Sequence, residues 1–325
     1  MAQRLLMAVI AVVGVPAVTC GYIVLVEKLL VFLPDKRRRT ARPWLWIAPA
    51  ALFLIVFLVY PTIQTIILST YNADSTHFIG LANYQVLIHD QAFLLALRNN
   101  LIWLVVFTSV TVLLGIIFAV LTERVAYESL ARAIVFLPMA ISFVGAGVIW
   151  KFVYDFQPAG AAQTGLLNAV LVALIPGFQP EAWLINPPLN TLALIVVGVW
   201  VWTGFCTVIL SAALKGISRE VLEAARVDGA NEFQIFRGIT IPMISTTIVV
   251  VATTMVIFAL KAFDIVYVMT SGNFQTDVIA NRMYSVMFTD GNYGQAAAIA
   301  VVLLVAIVPV MLGNIRRFRQ QEETR

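Results

Sequence analysis

The chain has 325 residues, 61% of them hydrophobic and 12% charged, with a formal net charge of +4 at neutral pH. A soluble domain is about half apolar and about a quarter charged, so the composition excludes an ordinary water-soluble fold. It gives no reason to expect nucleic acid as a partner, because the Lys and Arg residues lie in short clusters beside apolar runs, where they orient a membrane protein.

Seven apolar runs follow one another, near 5–33, 44–70, 98–122, 131–154, 189–214, 243–269 and 295–315. A bilayer core of about 30 Å takes about 20 apolar residues to cross. Over such continuous lengths only helices satisfy their own backbone in lipid. The pattern predicts an all-α polytopic membrane protein with about seven transmembrane helices. Residues 1–43 read as an N-terminal membrane helix and basic cytoplasmic linker, and 44–325 as the main transmembrane domain.

The first run carries Ala17-Val18-Thr19-Cys20, which resembles a lipoprotein cleavage site, but it continues to Leu33 and ends at a basic cluster, as a membrane anchor does. It could also lie tilted or in the interface. Cys20 and Cys206 both fall within apolar runs and read as spare thiols.

Lys36, Arg37, Arg38, Arg39 and Arg42 follow the first run; Arg124 and Arg132 follow the third; Lys215, Arg219, Arg226 and Arg237 follow the fifth; Arg316, Arg317, Arg319 and Arg325 follow the seventh. If every run crosses once, these groups share one side. The positive-inside rule makes that side cytoplasmic, with the N-terminus outside and the C-terminus inside. The opposite loops, near 71–97, 155–188 and 270–294, are punctuated by turn residues. A short surface helix is expected between Thr164 and Ile175. His77 and His89, in the first of these loops, read as solvated residues and not as a metal site. Lys151 and Asp155 mark the water interface, and Gly145 and Gly147 suggest close helix packing.

Between the fifth and sixth runs lies a charged island over 215–242. Ser218 is a candidate helix N-cap with Glu220 in the first turn. Asp228-Gly229 supplies a break, since Gly accepts a left-handed backbone. A second short helix is expected from about Ala230, with Phe233, Phe236 and Ile239 on one stripe, ended by Pro242. Small Ala224 and Ala225 permit close approach, Phe233 and Phe236 could anchor, and Glu223 and Asp228 could meet arginines of a partner. The other reading is an amphipathic loop resting on the membrane.

Within the runs, Lys261 and Asp264 stand at i and i+3, where they could share a helix face, either as a structural ion pair or as the lining of a path. Val201-Trp202-Thr203-Gly204-Phe205 offers aromatic faces and a hydroxyl suited to a sugar, or simply packs against lipid or a neighbouring helix. The chain holds no GxxxxGK[ST] phosphate loop and no GxSxG or HExxH site, so nothing points to catalytic residues or a metal.

Glu223-Ala224-Ala225, Gly229 and Ile239-Thr240-Ile241-Pro242 keep the spacing of the coupling loop, or EAA loop, of ABC importer permeases, with Ile241 where that pattern has Leu. Phe263-Asp264-Ile265-Val266-Tyr267 and Tyr293-Gly294-Gln295-Ala296 also resemble stretches of sugar-type permeases, though Ser271-Gly272-Asn273 departs from their turn. Trp202-Thr203-Gly204-Phe205 resembles a Trp-Thr-Pro-Phe stretch of the same family. Over about residues 40–320 the chain is similar to membrane subunits of carbohydrate importers of the maltose, glycerol-phosphate and α-glucoside kind. The resemblance implies a six-helix core of the type I importer fold plus one N-terminal helix, located in a bacterial cytoplasmic membrane. It also implies a second related permease, two ATP-binding subunits carrying ATP and Mg, a solute-binding protein and a sugar substrate, with no cofactor in this chain. Glu223, Ala224, Ala225, Asp228, Gly229, Phe233, Phe236 and Pro242 would then couple to the ATPase. Trp202, Thr203, Phe205, Lys261 and Asp264 would line the path. An ion-gradient transporter, which would need more mid-span acids than Asp264, and a non-transporting scaffold are the competing readings.

Overall fold

The computed structural model describes residues 20–32, 34–123 and 125–323 together with positions 14, 17 and 18, without the side chains of 310 and 314–323. Apart from an isolated bridge between Tyr71 and Phe78, the described residues form helices, turns and loops. In chain order the helices are α1 Asp35–Leu68, α2 Ala82–Leu87, α3 Gln91–Glu123, α4 Glu128–Phe136, α5 Phe143–Val153, α6 Leu166–Leu174, α7 Leu189–Lys215, α8 Arg219–Val227, α9 Glu232–Leu260, α10 Asp264–Met269, α11 Ile279–Phe288 and α12 Tyr293–Glu323.

Five of these, α1, α3, α7, α9 and the first part of α12, are long and apolar enough to cross a membrane. A sixth crossing exists if the bent pair α4–α5 counts as one. The first predicted run, 5–33, lies partly outside the described residues; 20–30 of it is helical.

The run 131–154 is not one straight span. Glu128–Ala140 and Phe143–Val153 meet at 98°. Pro138 sits in a 3₁₀ turn over Leu137–Ala140, Ile141 is extended, and the Ser142 hydroxyl accepts the Gly145 N–H to start α5 afresh. At 1.5 Å per residue each half reaches only roughly 16–20 Å, short of a bilayer core. Gly145 therefore serves the cap of its own helix. Gly147 does allow close packing, since a Cβ there would lie 3.0 Å from Val268 Cγ1. The short helix expected within 164–175 is α6.

The run 243–269 is also shorter than expected, because α9 ends at Leu260 and a break separates it from α10. The basic residues Lys36 to Arg42 belong to the first turns of α1. Five-residue π turns over Ile55–Val59 and Phe236–Thr240 each precede a proline, Pro61 and Pro242. A proline inside a helix has no N–H for the carbonyl of residue i−4 and crowds it, and a wider turn relieves that conflict.

The fold divides into two compact units, Met1–Ile67 and Leu68–Arg325. In the first, Glu27 ties its helical stretch to α1 by accepting from Arg42 Nε at 2.8 Å and Trp46 Nε1 at 3.0 Å. In the second, α7 is the central helix: it packs along α3 and crosses α4, and Leu194, Val197, Val201, Cys206 and Leu210 along it are fully buried. Its neighbours come close enough to require glycine. A Cβ on Gly115 would lie 2.5 Å from Cys206 Cβ, and one on Gly204 would lie 2.4 Å from the Val135 carbonyl oxygen. Gly204→Ala should destabilise the fold by about 1–3 kcal/mol through overpacking, seen as a lowered unfolding midpoint in detergent. An unchanged midpoint would mean that the backbone around Val135 gives way freely.

Candidate functional site

The charged island folds at the N-terminal end of α9. Ser218 stands at the N-cap position of α8 without a capping side-chain bond, and Glu220 occupies the first turn. Gly229 has φ +86°. The Gly229 N–H donates to the Arg226 carbonyl at 3.1 Å and the Ala230 N–H to the Ala225 carbonyl at 3.0 Å. These two bonds make a Schellman end, which the left-handed glycine permits.

The second helix starts at Glu232, two residues later than expected, because Asn231 caps it. The Asn231 side chain accepts the Gln234 N–H at 2.9 Å, and the Gln234 side chain accepts the Asn231 N–H at 2.8 Å. This capping box was legible as Asn-x-x-Gln but was not read from the sequence. Pro242 does not end the helix, which continues through the π turn into the span. Arg226 Nε pairs with Glu232 Oε1 at 2.9 Å across the bend. Asn231→Ala should cost about 1 kcal/mol of helix stability and speed hydrogen exchange of the amides at Glu232–Gln234. Unaltered protection there would count against the cap.

Glu223, Ala224 and Asp228 are exposed, whereas Ala225 is buried against the protein's own core. Phe233 is 68% exposed and Val227 87%. Phe236, expected as a second outward anchor, is half-buried, and lines clefts with Val120 of α3 and with Leu214 and Leu222. The outward apolar surface of the island is thus Val227 and Phe233, with Val221 less exposed, beside the acids Glu223 and Asp228.

At the opposite end of α9 lies an open cavity of about 170 Å³. That is smaller than the about 300–1,000 Å³ usual for small-molecule sites. Trp103 and Phe107 of α3, Trp202 of α7, Phe258 of α9 and Phe143 of α5 wall it, and Lys261 and Asp264 line it where α9 breaks. Trp202 packs against Phe258 with ring centroids 3.7 Å apart and stacks on Phe143 at 5.9 Å.

Two expectations about these residues change. Lys261 and Asp264 do not share a helix face, because Lys261 caps the end of α9 and Phe263, at φ −144° and ψ −64°, leaves helical geometry. Among the described residues no ion pair joins them, and both are exposed. Thr203 and Phe205 are not in the cavity wall. The Thr203 hydroxyl donates to the Val199 carbonyl at 2.6 Å, and Phe205 meets Trp202 edge-on at 5.7 Å from outside.

Sequence reasoning missed the asparagines that shape the break. Asn99 and Asn100, on α3, are 0% and 2% exposed. The Asn100 amide donates to the carbonyls of Ala259 and Leu260 at 3.2 and 3.4 Å, and its oxygen accepts the Ile279 N–H at 2.7 Å. Asn99 donates to the carbonyls of Gln275 and Asp277 at 2.7 and 2.8 Å. Asn190 of α7 donates to Phe274 O at 2.6 Å. Two adjacent amides at the head of an apolar run were the available signal. In the same loop, burial pushes the Asp277 carboxyl above its ordinary range, against the opposing effects of the Asn281 hydrogen bond, the Val278 N–H and the Arg282 charge.

A set of bilayer-length helices, with a polar bent element at one end of α9 and an aromatic, charge-lined cavity at the other, defines a multi-pass membrane transport subunit. The chain belongs to the family of binding-protein-dependent transport system inner membrane components, matched over residues 111–320. It is similar to the osmoprotective compounds uptake permease protein GgtC of Synechocystis sp., at 56% identity covering 86% of this chain and 100% of the relative. It is similar also to the alpha-glucoside transport system permease protein AglF of Rhizobium meliloti, at 49% identity covering 85% and 82%. Its fold matches a chain from a bacterial ABC transporter solved in complex with an alginate pentasaccharide-bound periplasmic protein, with TM-score 0.76 and 22% identity, covering 88% and 96%. The chain is thus a membrane-spanning permease subunit of an ABC importer and not an enzyme, ATP hydrolysis residing in separate subunits.

Proposed function

We propose that this permease carries an α-glucoside or a short oligosaccharide, and that the cavity at the break of α9 is where the solute passes. The observation that carries the reading is the cavity wall itself. Trp202, Phe258 and Trp103 offer faces for the apolar side of a sugar ring, and Lys261 and Asp264 offer charged donors and acceptors for its hydroxyl edge. The relative named for alpha-glucoside transport supports the sugar reading, and the one named for uptake of osmoprotective compounds supports a small organic solute.

The working assembly would join this chain to a second homologous permease, two ATP-binding subunits holding ATP and Mg, and an extracytoplasmic solute-binding protein. With the basic clusters inside, the island over 215–242 faces the cytoplasm and the ATPase, the C-terminus lies inside, and the first run adds a seventh helix with the N-terminus outside. The exposed residues Glu223, Ala224, Asp228, Gly229 and Phe233 would meet the ATPase. Ala225, Phe236 and Pro242 would connect that contact to α3 and α9. Because α9 runs unbroken from the island to the cavity, a push on one end moves the other as a rigid body. ATP-driven closure of the ATPases would open the cavity outward and hydrolysis would return it inward.

The test is uptake of labelled α-glucosides into proteoliposomes containing the whole assembly, with ATP inside and binding protein outside. Uptake should stop with vanadate and survive a protonophore. Vanadate-resistant uptake that a protonophore abolishes would establish an ion-gradient carrier in its place, and transport of an unrelated solute class would remove the sugar assignment.

A further inference from the structure

The break that places Lys261 and Asp264 in the cavity is imposed from outside their own segment. After Leu260 the helix could have continued. Had it done so, Lys261 and Asp264 would sit one turn apart on one face and neutralise each other. Ending the helix there leaves the Leu260 carbonyl without the amide that would have followed, while the Ala259 carbonyl takes the Ala262 N–H at 3.3 Å. Buried carbonyls at a helix end need partners, and the Asn100 amide donates to both. The same side chain's oxygen holds the Ile279 N–H, which opens α11, so one buried residue fixes both ends of the excursion over 261–278. Asn99 holds the far side of the excursion through Gln275 and Asp277. Neither asparagine lines the cavity.

We propose that Asn100 is a positioning residue for solute recognition: its amide, bridging the end of α9 and the start of α11, keeps Lys261 and Asp264 apart and turned into the cavity. The inference rests on the solute role proposed for that cavity. Asn100→Asp is the sharpest variant, since it keeps an oxygen for Ile279 and loses the N–H donors to Ala259 and Leu260. Asn100→Ala is the second, carrying no buried carboxyl.

In the reconstituted assembly both variants should copurify with the ATPase and raise the KM for solute about tenfold with the maximal rate within about twofold. Lys261→Met alone should also raise KM about tenfold. Combined with Asn100→Asp it should add less than about threefold, because residues acting through one another are not additive. A fully multiplicative double variant, or a loss of maximal rate at unchanged KM, would reduce Asn100 to a structural residue and overturn the proposal. If Lys261→Met and Asp264→Asn each leave KM unchanged, the cavity reading falls and this proposal with it. If those two raise KM while neither Asn100 variant does, the proposal falls alone.

Discussion

Glu223→Lys should reduce ATP-driven uptake by at least about thirtyfold while the chain still inserts and assembles with its partner permease. Glu223 is exposed on α8 and takes part in no ion pair among the described residues, so the fold does not depend on it. Exposed substitutions away from special features change stability by about 0.5 kcal/mol or less. An interfacial acid facing a basic partner is different: reversing it breaks a desolvated pair at about 2–5 kcal/mol. The neighbouring residues fit a docking face, with Val227 and Phe233 open to solvent and the bend locked by Arg226 and Glu232. The measurement is vesicle uptake beside copurification of the ATPase. Full uptake with a reversed charge at this position would place the motor's contact elsewhere.

Lys261→Met should raise the KM for a sugar by about tenfold, equivalent to about 1.4 kcal/mol, without lowering the unfolding midpoint. Lys261 is exposed to the cavity, so its removal deletes a donor and empties no core. Trp202→Ala, by contrast, cannot separate recognition from folding. Trp202 is buried and packed on Phe258 and Phe143, and truncating such a residue costs about 3–5 kcal/mol. A fall in binding by that variant would say little by itself, whereas an unchanged KM in Lys261→Met would take the charged edge out of the solute site.

The long helices were legible because lipid leaves the chain few choices, and runs such as 189–214 and 98–122 fall within α7 and α3. The turn at Gly229 was legible for a similar reason: Asp-Gly after a helical stripe has one inexpensive geometry, and the glycine takes it at φ +86°. The start of the second island helix was misplaced because Asn231 was not weighed as a cap. Phe236 was read outward because spacing alone does not say which side of a two-helix element the third span covers.

The largest misreading concerns Lys261 and Asp264. Periodicity is a local property, and it carries the helix past Leu260. The helix stops at Leu260, where Asn100, far away in the chain, donates to the last carbonyls. The bend at Pro138 shows the reverse case, where a local signal was present and the apolar run concealed it. The sequence by itself determined that the chain crosses a membrane many times and carries a bent polar element between crossings, because burying polar backbone in hydrocarbon costs more than any side chain can offset. Only the tertiary structure decided where α9 stops, which charges face the cavity and which aromatics close it, because those depend on amides and backbones from helices remote in the chain that meet only when the bundle packs.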